Sequence, residues 1–142
     1  MKRKSFVSFL AVILLGFVSL NSVAATTANG DGIVQTPGGV SYVSGGVGLE
    51  SIERLTALSG NFNLKLVFAM KSGDYLSNVK VAITDARGNT LVDTVSDGPW
   101  LLTKLPTGSY QIAASYAGAT EKRSVAVSAG NLRTLDFRWA TD

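Results

Sequence analysis

Cysteine and histidine are both absent from the 142 residues of this chain. Without imidazole or thiol it has no Ser-His-Asp triad, Cys-His nucleophile pair, thiolate zinc site, redox dithiol or disulfide framework. Charge is scarce too, at 16% of residues, where an average soluble protein has about 25%. Proline occurs only three times, whereas glycine reaches 15 residues. The longest apolar run, Phe6 to Leu20, falls short of the roughly 20 residues that a membrane-spanning helix needs. These absences predict one modest domain with no metal, no cofactor and no catalytic centre, so we expect a protein that is not an enzyme.

The N-terminus reads as an export signal. Lys2, Arg3 and Lys4 precede the apolar run, and Ser22-Val23-Ala24-Ala25 offers small residues for cleavage after Ala24 or Ala25. No cysteine stands at the cut to take a lipid, so the expected product is periplasmic or secreted, without a stable membrane anchor. Cleavage removes three basic residues, and the ten that remain balance the ten acids. The pI of 9.3 therefore reflects a discarded segment, and no nucleic-acid partner is expected.

Residues 25–48 are rich in Gly, Ser and Thr and read as a flexible leader. Leu49, Ile52, Leu55 and Leu58 then recur at helical spacing, which predicts one short amphipathic helix within residues 49–62, with Ser44 or Ser51 as its start. From residue 63 the period changes to two. Leu64, Leu66 and Phe68 alternate with Lys65, Val67 and Ala69, and comparable runs follow to Trp139, separated by Gly, Pro and Asn turn signals. Seven strands in about 80 residues predict a small β-sandwich. The expected core is Leu64, Leu66, Phe68, Val79, Val81, Ile83, Trp100, Leu105, Tyr110, Ile112, Val125, Phe137 and Trp139.

The stretch from Thr94 to Ile112 contains Asp97-Gly98-Pro99-Trp100 followed by Leu105-Pro106-Thr107-Gly108-Ser109-Tyr110. It resembles the motif of carboxypeptidase regulatory-like domains and their collagen-adhesin B-type relatives, whose fold is similar to transthyretin. The resemblance covers residues 63–142 and implies an all-β, seven-stranded Greek-key sandwich. Gly98 and Gly108 would release tight turns, Pro106 would preset one, and Trp100 and Tyr110 would anchor adjacent strands into a common interior with Trp139. In carboxypeptidases the module accompanies a separate zinc catalytic domain, which this chain lacks. In the adhesin relatives a Lys to Asn isopeptide bond staples the sandwich. Here no Asn follows Asn131, so neither Lys65 nor Lys80 is expected to form one.

Other chemistry is thin. Ser77-Asn78-Val79-Lys80 matches S-x-x-K, but it enters a strand, where residues three apart point to opposite faces. Glu50 and Glu53 share a helix face with Arg54, which reads as solvated charge. Asp93 and Asp97 are separated by extended chain, and Asn29-Gly30-Asp31-Gly32 lacks the later ligands of a calcium loop. The expected function is therefore a module of the cell envelope that binds a protein partner through a sheet edge or sandwich loops. A glycan module using exposed Tyr42, Tyr75 and Tyr116 is the alternative, and a hydrolase using Ser77 and Lys80 the remote one.

Overall fold

The computed structural model describes residues 27–28 and 32–140. The expected signal, residues 1–24, lies outside them. The described elements are β1 Thr27–Ala28, β2 Val34–Gln35, β3 Ser41–Gly45, α1 Leu49–Leu58, a 3-10 turn Ser59–Asn61, β4 Leu64–Met70, β5 Lys80–Asp85, β6 Thr90–Val95, β7 Trp100–Lys104, β8 Gly108–Tyr116, β9 Ala119–Val127 and β10 Arg133–Trp139. No described helix is long and apolar enough to cross a membrane.

The strands form two sheets, in the orders β1-β2-β3-β7-β4-β10 and β6-β5-β8-β9. Neighbours are antiparallel except β4 and β10, which run parallel with Phe68 level with Phe137. Seven strands from β4 onward make the expected all-β Greek-key sandwich. The alternating residues of the sequence supply its interior: Leu64, Leu66 and Phe68 of β4 face Val81 and Ile83 of β5 and Ile112 of β8 across one core. The rings of Phe68 and Phe137 lie 5.8 Å apart, and Trp139 sits 6.3 Å from each. A buried ring packed against two others gains contact energy beyond its area burial.

Three expectations are corrected. The segment read as a flexible leader contains β2 and β3, and β3 pairs with β7 from Ser41 opposite Lys104 to Gly45 opposite Trp100. Val40 and Val43 are buried there, so isolated apolar residues among glycines sufficed to dock the strand. Helix α1 starts after Gly48 with no side-chain cap. Ser51 instead accepts the Gly46 N–H at 2.8 Å, and Ser44 accepts the N–H of Asp97 at 3.0 Å. Trp100, expected in the common interior, lies on the opposite face of its sheet.

That outer face forms a second apolar cluster in which Val43, Leu55, Phe62 and Leu102 are buried and Trp100 packs half-exposed. Helix α1 covers it, with Leu55 fully buried and Leu58 and Ile52 half-buried. The helical stripe is thus satisfied by the protein's own sheet, which stabilises a helix too short to persist alone in water. Only Leu49, the first residue of the stripe, stays outside, at 71% exposure.

Candidate functional site

Each strand of the sandwich runs between two ends, and the ends differ in chemistry. At one end the β6–β7 corner, residues 96–99, is held from several sides. Ser96 pairs through its N–H with the Val79 carbonyl at 2.8 Å, and its carbonyl accepts the Asn78 N–H at 2.9 Å. Its buried hydroxyl also accepts the Val79 N–H at 3.1 Å. The Pro99 carbonyl accepts from Phe68, whose own carbonyl accepts from Leu76. Gly98 packs on β3 so closely that a Cβ there would overlap the Gly45 carbonyl. Its glycine is therefore required by close approach of two backbones, and its φ lies outside the left-handed region. Gly108 likewise has an ordinary backbone conformation, inside β8 opposite Val127.

This end of the sandwich carries most of the exposed large apolar side chains among the described residues. Val47 is 65% exposed, beside the Gly46 that packs against Pro99 and Trp100. Leu49 follows it. Tyr75, 66% exposed, bridges to Ala69 next to the Phe68 that bonds Pro99. Val95, 51% exposed, closes β6 just before the corner. Among the described residues, Leu132 is the exposed large hydrophobic that lies at the other end. Large apolar side chains left exposed toward one end of a sandwich make that end a candidate contact surface.

The opposite end is a cleft of about 670 Å³ between the 3-10 turn, the Leu105-Pro106-Thr107 turn and the β9–β10 turn. Its floor is organised by Asn63, which is buried at the start of β4. The Asn63 amide donates to the Leu105 carbonyl at 2.7 Å and accepts the Leu105 N–H at 2.9 Å. Its own N–H bonds the Thr103 carbonyl, and its carbonyl accepts from Arg133. One residue, through its side chain to Leu105 and its backbone to Thr103 and Arg133, thereby ties β4, β7 and β10 together. Sequence reasoning missed it, because an Asn ahead of an alternating run reads as a turn residue. The buried amide spends its hydrogen bonds on the backbone, so it offers a ligand little.

The remaining motif residues hold the frame. Leu105 is buried, Pro106 is exposed, and the Pro106 carbonyl accepts the hydroxyl of Tyr110. Burial, with Asp85 nearby, pushes the Tyr110 hydroxyl pKa upward. The Trp139 indole donates to the Ala119 carbonyl at 3.0 Å. Asp97 is exposed and contributes its backbone N–H to Ser44.

Other predicted groups are scattered. Tyr42 is half-buried on β3 and packs toward the core, while Tyr116 is half-buried with its ring 6.1 Å from Trp139. No ring contact joins Tyr42, Tyr75 and Tyr116. Ser77 and Lys80 share no hydrogen bond, and between them Asn78 takes a left-handed φ of 61°. No described group of three or more acids could hold a metal ion. Lys65 lies on the outer face with its Nζ 3.5 Å above the Trp100 ring. Desolvation lowers its pKa, opposed by the Asp136 carboxylate.

No family model matches this chain, and no curated protein matches it. Among solved structures it is similar to the 5-hydroxyisourate hydrolase of Klebsiella pneumoniae, at 19% identity and a TM-score of 0.45, over 56% of this chain and 90% of that one. The two sheets themselves make an all-β sandwich, as expected. The similar chain is a hydrolase by name, and the expectation that this chain is not an enzyme, which rested on composition alone, is withdrawn. At that identity the likeness concerns fold, and no residue role passes from one chain to the other.

Proposed function

We propose that this chain is an exported binding module of the cell envelope, a carboxypeptidase regulatory-like sandwich that holds a protein partner at the β6–β7 corner and along β6. The observation that carries this reading is that Val47, Leu49, Tyr75 and Val95, all exposed, lie toward the same end of the sandwich as the β6–β7 corner. Fixed apolar side chains on a rigid scaffold supply binding energy with little ordering cost. The adjoining edge supplies main-chain hydrogen bonds for an added strand. Export is supported by the basic segment, apolar run and small residues at the N-terminus.

A photo-crosslinking residue tests the surface directly. Placed at Val95 in cells that make the protein, it should yield a covalent adduct with a protein, whereas the same group at Thr107 in the cleft should not. An adduct from Thr107 alone would move the binding surface to the other end, and no adduct from either would overturn the reading.

A further inference from the structure

The two sheets present three strand edges in the seven-stranded unit, and these are guarded unequally. Strand β9 carries Glu121, Lys122 and Arg123, and β10 carries Arg133, Asp136 and Arg138. Side chains of β10 also cap β9, through Trp139 on the Ala119 carbonyl and Arg133 on the Ala126 carbonyl. Strand β6 reads Thr-Leu-Val-Asp-Thr-Val, with one charge and no basic residue or proline. Among the described residues no strand pairs with its outer side. An edge left without lysine or proline is a template for another strand.

The geometry of β6 restricts what can pair there. The register shifts between Ile83 and Thr84, which leaves Leu91 without a partner and breaks the alternation at the start of the strand. The regular stretch therefore begins at Val92, and the hydrogen bonds of Ser96 to Asn78 and Val79 carry it on to Ser96. Val92 faces the interior, as does Thr94 opposite the buried Val81, whereas Asp93 and Val95 lie on the exposed outer face.

An antiparallel pair related by a two-fold axis opposes residues that share a face, so the axis must pass through a residue. Through Val92 it would use the irregular Leu91. Through Asp93 it would set two carboxylates against each other, and through Val95 it would set Asp93 against Asp97 of the second copy. Thr94 keeps the pairing within the regular stretch and opposes no like charges: Thr94 meets itself once, while Asp93 meets Val95 and Val92 meets Ser96 twice each. Val95 pairs with Lys80 in its own sheet. Asp93 of one copy then lies two strand spacings, about 10 Å between Cβ positions, from Lys80 of the other. A lysine side chain covers most of that distance.

We infer that β6 pairs with β6 of a second copy about an axis at Thr94, joining the two four-stranded sheets into one continuous antiparallel sheet. This rests on the reading of β6 as a binding edge and names its occupant.

Light scattering and sedimentation of the purified protein over micromolar concentrations test it. The protein should dimerise reversibly. Val95→Asp, at a half-exposed position, sets a carboxylate against Asp93 in two symmetric pairs and should weaken the dimer about tenfold or more. Val95→Lys sets an ammonium there and should leave the dimer as tight or tighter. Thr94→Cys, the only thiol in a chain without cysteine, should form a disulfide-linked dimer on mild oxidation. A strictly monomeric protein, or equal weakening by Asp and Lys at position 95, overturns the inference, provided circular dichroism shows both variants folded. If the protein is monomeric yet Val95 crosslinks to a different protein, the second copy fails as occupant while the binding edge stands. If neither dimer nor adduct forms, both readings fail.

Discussion

The two sheets of the sandwich start from similar strands and end in different situations. The six-stranded sheet is covered inside by the common core and, over β3 and β7, outside by α1, and β3 extends it past β7. The four-stranded sheet has only its inner face covered, and its outer face is a plain of Lys80, Ala82, Ala113, Ser115 and Lys122 placed by register. The difference comes from about thirty residues before β4, which all fold onto one side. Protection here follows from where a flanking segment docks, and the sheet without such a segment keeps an open edge for binding.

The comparison is broken most strongly at Leu55, the fully buried anchor of α1. Leu55→Ala should cost about 2–5 kcal/mol, by loosening the helix over the outer cluster. In a Trp139→Phe background, emission from Trp100 should shift to the red as its cover departs. An unchanged spectrum would mean that α1 does not shield that sheet. A smaller effect is expected at Asn63, which links three strands of the covered sheet. Asn63→Ala removes the side chain and leaves both backbone groups of Leu105 without their partners, at about 1–3 kcal/mol. Hydrogen exchange should quicken at the cleft end and stay slow at β5 and β8. Equal loosening of both sheets would show that they do not respond separately.

The smallest effect lies in the open sheet, at the β5–β6 hairpin. Asp85 accepts the N–H groups of Asn89 and Arg87, each at 2.9 Å. The Asn89 backbone bond leads in holding the carboxyl below its usual range, against desolvation, with Arg87 and the Asn89 amide assisting. Because the folded value lies below the unfolded one, this contribution is complete above the unfolded carboxylate range and disappears as pH falls through the folded value. Asp85→Asn should therefore flatten the acid side of a thermal-unfolding profile while changing stability at neutral pH only slightly. A wild-type profile as flat as the variant's would remove the assignment.

Much of this molecule could be read before any fold was known. Alternation identified the inward rows of β4, β5, β8 and β10, because a half-buried strand must place every second side chain in the interior. The corner at Asp97-Gly98-Pro99 was visible as a turn, but its glycine was given the wrong reason, since the approach of Gly45 from more than fifty residues away leaves no local trace. Tyr75 is exposed as expected, whereas Val47, Leu49 and Val95 carried no such signal, because they come from two segments far apart in the chain. The catalytic exclusion drawn from missing histidine and cysteine was too broad, for composition limits particular mechanisms and not catalysis as a whole.

The amino-acid pattern alone determined the two-layer β architecture, its interior rows and the short helix, all of which depend on local periodicity. The tertiary structure decided that Trp100 would face α1 and not the core, that the glycine-rich segment would become β3, and that β6 would remain open. Those outcomes depend on which surfaces meet, and burial of apolar area responds to the whole assembled surface with no regard for distance along the chain.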